Sequence, residues 1–197
     1  GTAPASAAVG RVAVTPPRPN IVFIMADDLG YGDLSCYGRR DFTTPRIDKL
    51  AREGVRFTQA YANSPVCSAT RVALMTGRYQ YRLRVGLEEP LRDVRDIGLP
   101  PEHPTLPASL RAAGYRTALG GKGHLGSLPD FAPLKSGYET FYGFRGGAVD
   151  YYTHVGPSKV KDLWDGDVRV DESGYLTHLL GARPEALVGE FAGGAPP

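Results

Sequence analysis

The run Ile21-Val22-Phe23-Ile24-Met25 limits what this chain can fold into more than any other stretch. Five consecutive apolar residues, three of them β-branched, predict a strand buried on both faces. That is the signature of a largely parallel sheet covered by helices on each side. The run breaks off into Ala26-Asp27-Asp28-Leu29-Gly30-Tyr31-Gly32. Carboxylates and glycines directly after a buried strand describe a loop at the carboxyl edge of the sheet, where α/β proteins bind ligands.

The remainder repeats this rhythm. Thr44-Pro45 reads as an N-cap and first helical residue, Ile47, Leu50 and Ala51 form an apolar stripe, and Gly54 stops the helix. Residues 55–61 predict a second strand, and Ser64-Pro65-Val66-Cys67 leads into a short helix closed by Gly77. Residues 78–104 are polar and rich in Arg and Pro, a long excursion. Residues 105–113 predict a helix and 115–119 a third strand, ending in Gly120-Gly121-Lys122-Gly123-His124. Residues 127–170 read as an aromatic loop region, and 174–191 as a last helix weakened by Gly181 and Pro184. The order strand–helix–strand–helix–strand gives an α/β fold with a largely parallel central sheet. Residues 1–18, rich in Ala, Gly, Thr and Pro, form a flexible tail, and 19–197 a domain.

Composition narrows the function. The net charge is +2 with no long block of one sign, which argues against nucleic-acid and polybasic membrane partners. No apolar run has the length of a membrane span. The first 19 residues lack the apolar core of an intact signal peptide but fit the remnant of one, so a periplasmic or secreted location is the expectation. Two cysteines, Cys36 and Cys67, make neither a disulfide framework nor a zinc pattern.

Three clusters carry chemistry, and each follows a predicted strand. Asp27-Asp28 is a hard oxygen pair suited to calcium or magnesium, although such a pair in a loop is more often capping or solvated. Cys67 stands at a helix N-terminus, where free N–H groups favour an anion, and Arg71 lies one turn on along the same face. A lone cysteine there is more often a small core residue. Lys122 and His124 flank Gly123 in a glycine-rich loop that lets side chains approach an oxyanion. A parallel sheet would bring all three clusters to one edge.

At these residues the chain resembles a known family. Cys67-Ser68-Ala69-Thr70-Arg71 is similar to the type I sulfatase signature Cys-x-Pro/Ala-x-Arg. Arg18–Ala26 with Asp27-Asp28-Leu29-Gly30 resembles the family's opening strand and metal loop. Thr43-Thr44-Pro45-Arg46-Ile47-Asp48-Lys49-Leu50-Ala51, Gly114-Tyr115-Arg116-Thr117-Ala118-Leu119, Gly121-Lys122-Gly123-His124-Leu125-Gly126 and Tyr138-Glu139-Thr140-Phe141-Tyr142-Gly143-Phe144 match in order, over about residues 18–180. Two positions depart from the pattern: Ala69 stands where proline is commoner, and Gly123 where tryptophan is usual.

The resemblance implies the alkaline phosphatase-like fold and hydrolysis of a sulfate ester. It implies that a formylglycine-generating maturation enzyme oxidises Cys67 to Cα-formylglycine, whose hydrate attacks sulfur and then expels sulfate by collapsing to the aldehyde. Asp27, Asp28 and residue 67 would contact Ca2+ or Mg2+. Arg71 would hold the diol, Lys122 would neutralise sulfate and diol oxygens, and His124 would be the base for the elimination. The family's other metal ligands, an Asp and an Asn of an Asp-Asn-Gly motif, have no match in these 197 residues. The chain therefore reads as the N-terminal part of a sulfatase catalytic domain, truncated before its later strands. Two other readings stand beside it. One is a phosphatase or phosphodiesterase of the same superfamily, which normally has Ser or Thr in place of Cys67. The other is a non-catalytic, sulfatase-like fragment.

Overall fold

The computed structural model describes residues 18–92 and 96–193, so the tail expected over 1–18 lies, apart from Arg18, outside the described residues. Among them are four α-helices, α1 (Pro45–Glu53), α2 (Cys67–Thr76), α3 (Leu106–Ala112) and α4 (Leu176–Ala192). Four strands, β1 (Ala118–Lys122), β2 (Thr140–Phe144), β3 (Trp164–Asp165) and β4 (Val168–Arg169), form one open sheet in the order β1-β2-β3-β4. The fold is α/β. Its sheet is built on a parallel β1–β2 pair of five residues, with two-residue antiparallel pairs joining β3 and β4. No helix among the described residues is long and apolar enough to cross a membrane.

The helices follow their end signals. Pro45 opens α1 and Gly54 ends it, its N–H bonded to the Leu50 carbonyl at 2.9 Å. Gly77 closes α2 in the left-handed conformation with φ of 64°. Thr105 caps α3, its hydroxyl accepting from Ala108 N–H at 3.2 Å while donating to the Ser136 carbonyl at 2.6 Å. α4 runs through Pro184 without a break. The pyrrolidine ring packs on Gly120 of β1, where a Cβ would lie 2.3 Å from Pro184 Cγ.

Three strand expectations need correction. Residues 21–25 and 55–61 form no ladder, and Ile24 and Val55 are 81% and 78% exposed. An apolar run becomes a doubly buried strand only where sheet neighbours and helices cover it, and the described residues supply neither. The third strand sits three residues later than expected, at Ala118–Lys122. Its two glycines are used in pairing rather than turning: a Cβ at Gly143 would come 1.9 Å from the Gly121 carbonyl oxygen, so β1 and β2 approach closely there. The 127–170 region expected as loop holds β2, β3 and β4.

Segment 18–27 is nevertheless placed. The Arg18 guanidinium donates to the Ala113 carbonyl, and the Lys122 ammonium to the Asp27 carboxylate, with the same 95-residue separation at both ends. These contacts join the two ends of 18–27 to the two ends of 113–122. The segment is tethered by long side chains rather than by a backbone ladder.

The excursion after α2 supplies core. Val72 and Met75 of α2 pack with Val85, Leu91, Leu99 and Leu125, with Leu83 and Ile97 against them, so residues on both sides of 93–95 cover the helix that begins with Cys67. A second cluster, Tyr142, Phe144, Leu163 and Leu176, lies between β2 and α4.

Candidate active site at the head of α2

Cys67 is the first residue of α2, half-buried, and its backbone N–H belongs to the turn whose donors have no intrahelical acceptor. The turn before it is locked. Thr70 Oγ1 donates to the Ser64 carbonyl at 2.6 Å and accepts from Ser64 N–H at 3.0 Å, and Ser64 Oγ accepts from Val66 N–H at 3.0 Å. Both cysteines are free thiols, so no disulfide joins Cys36 to Cys67.

Arg71, one turn on, connects two of the expected clusters. One guanidinium nitrogen donates to the Lys122 carbonyl at 2.7 Å, and another lies 3.8 Å from Asp27 Oδ1. Its Nε is buried and has no hydrogen-bond partner among the described residues. Burial pulls the guanidinium below its ordinary pKa, while Asp27, then Cys67, then Tyr138 oppose that shift. Lys122 closes the constellation: its Nζ donates to Asp27 Oδ2 at 2.7 Å, from a side chain only 10% exposed. Asp27, Arg71 and Lys122, from three distant segments, therefore meet one another, and Arg71 links them to Cys67, whose charge acts on its guanidinium. Two mostly buried cations against one carboxylate leave net positive charge, suited to an oxyanion.

His124 and Asp28 are placed differently. His124 is 2% exposed with φ of 56°, its N–H continues the β1–β2 ladder to the Arg145 carbonyl at 3.1 Å, and its Nε2 lies 2.9 Å from the Leu91 carbonyl. Asp28 is exposed in the left-handed region with φ of 57°. Gly123, the position usually held by tryptophan, has room: an added Cβ would meet its nearest atom, the Phe144 carbonyl oxygen, at 3.5 Å.

Tyr138 belongs to the same neighbourhood and was hidden among the aromatics of 138–164. Its hydroxyl donates to Met75 Sδ at 3.4 Å, and burial pushes the phenol's pKa up while Arg71 draws it down. The only signal for it in the sequence is its place in the last matching stretch.

As for a metal, Asp27 and Asp28 are oxygen donors of the right kind for a hard cation. They are too few: no group of three His, Cys, Asp or Glu side chains that could hold an ion occurs among the described residues, and Asp27 is engaged by Lys122 and Arg71.

A family model described as Sulfatase matches residues 19–179. This chain belongs to the sulfatase family. It is 46% identical over 140 residues to steryl-sulfatase of Mus musculus, a match covering 65% of this chain and 22% of that protein. It is 39% identical over 146 residues to N-acetylgalactosamine-6-sulfatase of Canis lupus familiaris, covering 70% and 28%. Among solved structures, the PsFucS1 sulfatase from Pseudoalteromonas sp. superposes with a TM-score of 0.69 at 27% identity, over 85% of this chain and 40% of that one. The chain thus spans less than a third of the length of these curated relatives.

Proposed function

We propose that this chain carries the nucleophile half of a sulfuric ester hydrolase. The observation that carries the reading is the meeting of Asp27, Arg71 and Lys122, from three segments, at the helix end that presents Cys67. Oxidised by a formylglycine-generating enzyme, residue 67 would supply a hydrated aldehyde, with one hydroxyl to attack sulfur and a second to drive release of sulfate.

The surrounding side chains have definable work. Lys122 and Arg71 bind the sulfate oxygens and hold residue 67 in line, with charges already in place and little solvent to reorganise. His124 holds or takes the proton of the second hydroxyl. Asp27 and Asp28 would supply two of the roughly six oxygen ligands that Ca2+ or Mg2+ takes, and the cation would polarise the attacking hydroxyl. A periplasmic or secreted location accompanies this reading, on the Ala-, Gly-, Thr- and Pro-rich composition of residues 1–19.

The test is hydrolysis of an aryl sulfate by the protein co-expressed with a formylglycine-generating enzyme, with Cys67→Ala and Lys122→Met alongside. Sulfate release should vanish in Cys67→Ala and fall by about 10²–10³ in Lys122→Met, as for loss of one oxyanion donor. Release of phosphate from an aryl phosphate, undiminished in Cys67→Ala, would replace this reading with that of a phosphatase.

A further inference from the structure

We propose that Ser68, beside the nucleophile position, is a positioning residue that fixes which ring nitrogen of His124 carries the hydrogen. The inference deepens the sulfatase reading and rests on His124 serving as its base.

Ser68 is fully buried, and a buried hydroxyl must use its hydrogen-bonding capacity within the protein. Its Oγ donates to the Glu88 carbonyl at 3.2 Å and accepts from Leu91 N–H at 2.9 Å. One side chain of α2 thus pins both ends of the 88–91 turn. The Leu91 side chain is buried in the cluster with Val72, Met75 and Leu125, so the turn is clamped by packing as well.

The residue held in this way reaches His124 through its own carbonyl, which belongs to the next peptide unit along the chain. The Leu91 carbonyl oxygen lies 2.9 Å from Nε2 of the buried imidazole. A carbonyl can only accept, so Nε2 must carry the hydrogen, and in the neutral ring the lone pair then resides on Nδ1. Nδ1 is the atom that takes a proton. Backbone bonds hold the ring's own residue in place from the other side, through His124 N–H to the Arg145 carbonyl. Asp162 in turn accepts from Arg145 N–H at 3.2 Å and Gly146 N–H at 2.8 Å. The path from nucleophile to base is therefore short: residue 67, the Ser68 hydroxyl, the 88–91 turn, the Leu91 carbonyl and His124 Nε2. Moving α2 moves the acceptor that sets the base.

The experiment is NMR of the unoxidised chain labelled with 15N in the histidine rings, which needs no turnover and so fails or succeeds independently of the sulfatase assignment. His124→Gln assigns the signals. In the parent protein His124 should show a protonated, solvent-protected Nε2 and, in its neutral form, an unprotonated Nδ1. Ser68→Ala should lose the protection of the Nε2 hydrogen and raise the share of the Nδ1–H tautomer, while Ser68→Thr, which keeps the hydroxyl, should retain the parent pattern. A neutral His124 protonated at Nδ1 in the parent overturns the proposal. So does a Ser68→Ala protein that folds with unchanged His124 ring signals. If Ser68→Ala does not fold, the parent and Ser68→Thr spectra decide: loss of Nε2 protection in a folded Ser68→Thr protein contradicts the role given to the hydroxyl.

Discussion

Asp27 takes two cations at once, with Lys122 at 2.7 Å and Arg71 at 3.8 Å, and those contacts hold together segments that share no ladder. Asp48 performs a comparable task at the start of α1. Its carboxylate accepts from Ser35 Oγ at 2.5 Å, Thr44 Oγ1 at 2.9 Å and Cys36 N–H at 3.0 Å, tying residues 35–36 to the helix. The Ser35 bond, with those of Thr44 and Cys36, holds the carboxyl below its ordinary pKa against the opposing effect of burial. The sign follows from the depressed folded value. The contribution is present above the unfolded carboxyl pKa and is lost as pH falls through the lower folded one. Amide hydrogen exchange should therefore find the 35–36 turn and the first turn of α1 protected at neutral pH and opening under acid. In Asp48→Asn the same amides should be less protected at neutral pH and nearly insensitive to acidification.

The parallel β1–β2 pair is the element that sets the site, because it delivers Lys122 and carries its ladder on to His124. Its close approach depends on Gly143, whose φ of 153° and 1.9 Å clearance leave no space for a methyl group. Gly143→Ala should destabilise the protein by about 1–3 kcal/mol or more, the usual cost of forcing extra atoms into packed structure, read as a lower denaturation midpoint. The helices were legible in the sequence because Pro45, Thr105, Gly54 and Gly77 are local signals that act wherever the chain goes. Strands depend on neighbours, and there the reading failed in both directions. Residues 21–25 have the right composition without a ladder, whereas Gly120 and Gly121 are paired in β1 with turn-like composition. The three clusters were legible from motif spacing as candidates for a site. Their mutual contacts were not, since no local pattern encodes that Asp27 pairs with Lys122 across 95 residues, nor that Ser68 reaches a turn 20 residues on.

At the scale of the molecule, apolar surface is unevenly used. Val72, Leu99 and Phe141 are fully buried, while Ile21, Val22, Phe23, Ile24, Val55 and Phe57 face outward. Leu99→Ala should cost about 2–5 kcal/mol, and Ile24→Ala should fall within about 0.5 kcal/mol of the parent in chemical denaturation. Exposed apolar surface of this extent should also bind a hydrophobic dye, less so in a Phe23→Ser, Val55→Thr double variant. The position of Cys67 at the helix head, with Arg71 one turn on and Lys122 joined to Arg71 through Asp27, is what the functional reading needs from the whole fold. Peptide mapping by mass spectrometry after co-expression with a formylglycine-generating enzyme examines it directly. An aldehyde at position 67, trapped by a hydrazide, with Cys36 still a thiol, is the expected result. A thiol retained at position 67, under conditions that convert a sulfatase expressed beside it, would contradict the assignment.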